Sequence, residues 1–180
     1  MLRLLEVAIT GKGEIFSWIG ASHFDDGGID HLVTGPMGTG VFGGFLSVVF
    51  KQDVRTFNFE QNTELEGHSL TEYAFQVAPE NSSYNVQIPG AWVKSGYSGT
   101  VLVDPQTDDV VRMTVKTAKL PESSNVCEIS ADLNLQMVRI GDGQILLPSQ
   151  ARQHYVLTNG EETENTFTFG DAASTWANRA

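Results

Sequence analysis

The sequence predicts a mainly β (α+β) fold: a curved antiparallel sheet, or incomplete β-barrel, wrapped around one buried apolar helix. Three observations carry that expectation. Apolar and polar residues alternate in segment after segment from Val54 to Phe169, the period of half-buried strands. Turn signals at Glu66-Gly67, Pro79-Glu80-Asn81, Ile140-Gly141-Asp142-Gly143 and Asn159-Gly160 punctuate those segments, where Gly and Asn accept the positive φ of tight reversals. One segment, 40–50, is apolar all round and must be buried on most sides. A sheet face of aromatics and large aliphatics left wet would forfeit about 1.5–3 kcal/mol per side chain. One layer curled around one apolar helix is the simplest way to cover it.

Taken in chain order, 2–9 and 14–19 read as two strands, with Leu5, Val7 and Ile9 on one face of the first and a Gly-containing turn, Thr10-Gly11-Lys12-Gly13, between them. A polar, Gly-rich connection over 21–28 leads to a short segment near 29–33, which Gly35-Pro36 breaks. Thr39 then caps the helix over 40–50. Its glycines at 40, 43 and 44 each cost about 1 kcal/mol relative to Ala, so packing must offset them, and their missing Cβ atoms admit a close sheet backbone. Beyond Val54, Phe57 and Phe59 share a face with Arg55; Tyr73, Phe75 and Val77 share one face of a later strand, and Tyr84, Val86 and Ile88 one face of another.

The stretch 98–121, SGTVLVDPQTDDVVRMTVKTAKLP, reads as strand, Asp-Pro turn and strand. Asp104-Pro105-Gln106-Thr107 fits a type I turn, because Pro105 presets φ near −65° and the Asp104 carboxylate can accept from nearby backbone N–H groups. After it Val111, Met113 and Val115 alternate with Arg112, Thr114 and Lys116. Leu133, Leu135 and Met137 mark another strand; 145–147, 154–157 and Phe167 with Phe169 mark three more. The expected total is about nine or ten strands, at least eight of them in one sheet, joined as a meander.

Length and composition bound the rest. The chain of 180 residues is read as one domain, 1–180. Its opening in mid-strand suggests a segment of a longer gene, with a leader and first elements upstream. A net charge of −11, from 22 acidic and 11 scattered basic residues, argues against nucleic acid, whose phosphates call for clustered Lys and Arg. No apolar run reaches the 18 residues of a membrane-spanning helix. The single cysteine, Cys127, can form neither an internal disulfide nor a cysteine metal cluster, and reads as a packing residue.

The search for chemistry is mostly negative. The histidines at 23, 31, 68 and 154 show no zinc spacing. His23, Asp25, Asp26, Asp30 and His31 form one local group of metal-competent side chains, balanced against a solvated polar loop. Asp108-Asp109 reads as a turn and Glu161-Glu162-Thr163-Glu164 as a solvated hairpin tip. The run GPMGTGVFGG over 35–44 lacks the Lys-Ser/Thr that follows a phosphate loop. No nucleophile elbow or triad signature occurs. No cofactor, metal or catalytic residue is assigned, and the chain is read as a non-enzyme. What remains is apolar. Phe42, Phe45, Leu46, Val49, Tyr73 and Phe75 line a hydrophobic pocket if helix and sheet leave a space between them, or an ordinary core if they do not.

The hairpin GTVLVDPQT with Arg112 after it, and the later GQILLP strand, resemble the outer-membrane lipoprotein carrier (LolA-like and RseB-like) half-barrel superfamily, and more narrowly extracytoplasmic proteins of acidobacterial type. Gly99, Val101, Asp104, Pro105, Thr107 and Arg112 carry the resemblance, which spans 39–169. It implies an incomplete antiparallel barrel around helices, a location in the periplasm or cell envelope, and the holding of a lipid or lipoprotein acyl chain. Three functions are therefore expected in order. The first is a non-catalytic extracytoplasmic protein binding a hydrophobic ligand in its half-barrel. The second is a structural or sensory module with a filled core and a protein partner. The third is a metal-assisted hydrolase on the His23–His31 loop.

Overall fold

A computed structural model describes residues 5–10, 13–25, 32, 44–54, 56–88 and 91–170. The chain is mainly β. Its described strands are β1 (Leu5–Thr10), β2 (Gly13–Trp18), β3 (Asn58–Leu65), β4 (His68–Val77), β5 (Asn85–Ile88), β6 (Ala91–Lys94), β7 (Tyr97–Val103), β8 (Val110–Thr117), β9 (Val126–Ile140), β10 (Gly143–Leu157) and β11 (Glu162–Thr168). They form not one sheet of eight or more but a seven-stranded antiparallel sheet, in the order β11-β10-β9-β8-β7-β4-β3, and two separate hairpins, β1-β2 and β5-β6. Among the described residues no sheet closes into a barrel. The split has a local cause. The 3-10 turn Pro79–Asn81 lifts the chain out of the sheet after β4, β5-β6 forms as an excursion, and β7 returns to pair with β4.

The described part of the helical segment differs in kind from the helix the sequence predicts. Residues 40–43, with Phe42 and the Thr39 cap, lie outside the described residues, as does 29–31. One α-helical turn, α1 (Gly44–Ser47), runs into a π-helical turn, Val48–Asp53. Phe45 and Val49, four apart, share its buried face, whereas Phe50 is exposed, so the described part is not buried all round. At Gly44 the neighbour is not sheet backbone. The Glu14 carboxylate of β2 accepts from the Gly44 N–H at 2.8 Å, and a Cβ on Gly44 would stand 2.9 Å from that oxygen.

The core lies on one face of the seven-stranded sheet. Phe75 and Val77, Tyr97 and Val101, Met113 and Val115, Ala131, Leu133 and Leu135, and Ala151 form one buried cluster with Phe45, Val49 and Phe16 of the β1-β2 hairpin. The opposite face is polar. It carries the Arg112–Asp132, Lys116–Glu128, Arg152–Glu164 and His154–Glu162 pairs and a Thr100–Thr114 hydroxyl contact of 2.9 Å. Glu162 and Glu164 therefore belong to a strand, not to the hairpin tip, which is made by Thr158-Asn159-Gly160.

The Asp-Pro hairpin forms as the sequence predicts, with Thr100 opposite Thr114 and Val101 opposite Met113. Asp104 Oδ1 accepts from the Gln106 N–H at 2.8 Å, the Asp104 carbonyl accepts from Asp108 N–H at 2.8 Å, and Asp108 takes a left-handed φ of 60°. The two strands expected at 145–147 and 154–157 are one strand, β10. Pro148 would normally end it, having no N–H, but a bulge at Ser149 absorbs the missing bond and pairing with β9 resumes at Gln150.

Candidate functional site

Five of the six residues predicted to line a pocket are described, and they are brought to one place as packed neighbours. Phe45 is 5% exposed, Val49 and Phe75 are buried in the same cluster, and Leu46 and Tyr73 pack against it half-buried. Phe42 is outside the described residues. The rings interlock: Phe45 lies 5.6 Å from Tyr84, Tyr84 6.3 Å from Tyr97, and Tyr97 6.1 Å from Phe75, within the range of favourable aromatic pairs. Gly99 of β7 makes room for this, because a Cβ there would stand 2.7 Å from Cζ of Phe75 and overlap the Thr114 carbonyl. The stack continues outward along the β3 edge. Phe57 meets Phe75 edge-on and stacks on Phe50, and Phe59, 59% exposed, meets Tyr73.

Of the metal-competent loop, His23 and Asp25 are described and Asp26, Asp30 and His31 are not. His23 is exposed, and its Nδ1 lies 3.1 Å from Ser22 Oγ. Asp25 forms a bridge with Phe16. No group of three His, Cys, Asp or Glu side chains suited to a metal occurs among the described residues. Cys127 is exposed on β9, which corrects its reading as a packing residue. Arg112, part of the family-like hairpin, is bound by both carboxylate oxygens of Asp132 across the polar face. That bidentate contact raises its pKa, with burial opposing.

Two features escaped the sequence. The first is an arm. β8 pairs with β9 only as far as Asn134, and β11 pairs with β10 from Gln150 onward. Among the described residues, 135–148 therefore pair only with each other, as a two-stranded hairpin projecting beyond the sheet. Val138, Ile140, Ile145 and Leu147 share its face continuous with the polar side, and Met137 and Leu146 lie on the other. Met137 is 41% and Ile145 48% exposed. Unpaired edges beside exposed aliphatics are a ready template for another chain. The signal was present in Ile145-Leu146-Leu147, a run that breaks alternation and so puts apolar side chains on both faces.

The second is Asp53, at the end of the π turn and 4% exposed. Its Oδ1 accepts from Ser83 Oγ at 2.6 Å, and its Oδ2 from Ser83 N–H at 2.7 Å and the Tyr97 hydroxyl at 2.9 Å. Burial, then this hydrogen bond, then the carboxylate's charge push the Tyr97 phenol far above its ordinary range. Burial likewise pushes Tyr84 up to about 12. Asp53 also lines a cleft of about 350 Å³, with Thr56, Asn58, Gln76, Val77, Ala78 and Asn81.

Comparison of the chain with protein-family models, with curated proteins and with solved structures finds no match. Among the described residues no helix is long and apolar enough to cross a membrane.

Proposed function

We propose that this protein is a non-catalytic interaction module: a half-barrel whose sheet curves about its own helix, whose apolar face is filled from within, and whose β9-β10 arm receives a protein partner. The observation that supports it is the arm. Among the described residues, 135–148 leave the sheet with both edges unpaired and with Val138, Ile145 and Leu147 outward, while Phe45, Val49 and Phe75 are spent on the core. An extended segment of the partner would add a strand to one arm edge and cover the aliphatic row, main-chain bonds giving affinity and alternate side chains specificity. The extracytoplasmic location belongs to the same proposal and rests on the family resemblance alone.

A photo-crosslinking residue at position 145, in cells that express the chain naturally, tests this reading. The expected result is a discrete protein adduct that Val138→Lys suppresses and that position 60, on exposed β3, does not give. Equal adducts from both positions, or none, would refute it.

A second reading, the hydrophobic-ligand carrier, draws on the exposed rings of Phe50 and Phe59 beside Phe57 and Tyr73. These extend the aromatic stack to the surface, where an acyl chain of a lipid or lipoprotein could lie along them. A fluorescent fatty acid displaced from the wild type, but not from Phe59→Ser, would favour it over the arm.

A further inference from the structure

We infer that the partner of the arm presents a basic extended segment, with Lys or Arg at its ends, to the outer edge of β9. The inference rests on the arm as a protein-binding element and names the chemistry of what it binds. The edge follows from the hairpin register. Ile140 and Gly143 flank the two-residue loop Gly141-Asp142, where facing residues exchange both hydrogen bonds. Alternation along the pair then turns the N–H and C=O of Met137 and Arg139 away from β10. Met137 and Arg139 are exposed, as are Gln136, Gly141 and Asp142. The outer edge of β10 is the poorer template. Pro148 brings no N–H to it, and the Ser149 carbonyl already accepts from the Phe169 N–H at 3.0 Å.

Charge decides what this edge takes. A strand added to β9 continues the line of β8, whose last pair with β9 is Arg112 with Asn134. One end of the added strand therefore abuts the 104–109 turn that leads into β8, and the other reaches the loop tip at Asp142. Four carboxylates, those of Asp104, Asp108, Asp109 and Asp142, frame the edge against the single guanidinium of Arg139. Asp108 and Asp142 are exposed, and Asp104 and Asp109 half-buried. Arg112, where the β8 pairing stops, is held by both carboxylate oxygens of Asp132. Cationic ends on the incoming segment meet negative potential at both limits of the edge, while its middle covers Met137 and Val138. A second copy of the chain fits worse, because each carries −11 and the same four carboxylates would face one another.

A photo-crosslinking residue at position 137, in cells that express the chain naturally, reads both the partner and its charge. The expected adduct matches the one from position 145, and mass spectrometry of its crosslinked segment shows more Lys and Arg than Asp and Glu. Asp109→Lys with Asp142→Lys should cut the yield about tenfold, since charges at an interface rim set the rate of encounter. Glu60→Lys with Glu64→Lys, the same charge change on the edge strand β3, should leave it unchanged. If the first double variant fails to fold, Asp142→Lys alone, at the exposed tip, should still cut the yield about threefold. A neutral or acidic crosslinked segment, an unchanged yield in the arm variants, or an equal loss in the β3 variant overturns the basic partner. An adduct from position 145 that persists beside any of those results keeps the arm as a binding element, so the two readings fail separately. No adduct from either position removes both.

Discussion

Replacing Phe45 by Ala removes the ring that joins the helix to the aromatic stack. Phe45 is 5% exposed, touches Tyr84 at 5.6 Å between centroids and belongs to the cluster that includes Phe75, Tyr97 and Val49. A buried Phe→Ala change loses the transfer energy of the ring and leaves a cavity, together about 3–5 kcal/mol. With a urea slope of about 2 kcal/mol/M, the unfolding midpoint should fall by roughly 1.5–2.5 M with the slope unchanged. Val49→Ala loses less, about 2 kcal/mol. Phe45→Asp should unfold the chain outright by burying an uncompensated charge. Were Phe45 the wall of an open pocket, Phe45→Ala would cost under about 1 kcal/mol, since no packed neighbours would be lost. Urea titration followed by tryptophan fluorescence distinguishes the two. A loss below about 1 kcal/mol refutes the filled-core reasoning.

Three other perturbations have defined outcomes. Gly99→Ala should prevent normal folding or cut stability by several kcal/mol, because its methyl would meet the Thr114 carbonyl and Phe75; a wild-type melting temperature would contradict the close approach. Pro105→Ala should cost about 1 kcal/mol or less, acting mainly through the unfolded chain, and a larger loss by chemical denaturation would show the turn to be strained. Tyr84 and Tyr97 have phenols raised above 10 in the folded state, so the fold binds more protons than the unfolded chain in alkali. Their contribution is complete below about pH 10 and declines as pH rises toward about 12 for Tyr84 and beyond it for Tyr97. Tyr97→Phe should flatten that decline in pH-dependent unfolding, and an unaltered profile would remove Tyr97 from the account.

The hairpin at 104–107 and the face alternation of β7 and β8 were legible in the sequence because both are local: a proline φ, an Asx contact and a two-residue period. The mainly β composition was legible for the same reason, being a sum of local periods. What was not legible depends on distance along the chain. Asp53 meets Ser83 and Tyr97, 30 and 44 residues away, and no spacing rule connects them. Pro148 reads as a strand end because the bulge that rescues it is a property of the β9-β10 pair rather than of β10. The departure of β5-β6 from the main sheet was hidden likewise, since alternation shows that a face is buried but not which sheet buries it. As for the candidate lining residues, the sequence placed Phe45, Val49 and Phe75 together but could not say whether space remained between them, which depends on side-chain volumes summed over several strands.

Native mass spectrometry of the protein purified from its own host without detergent tests the central claim, a filled interior that works by surface contact. The account predicts the mass of the polypeptide alone, with no bound acyl species, for wild type and for Phe59→Ser alike. A stoichiometric lipid adduct on the wild type, lost from Phe59→Ser, would contradict it and restore the carrier function.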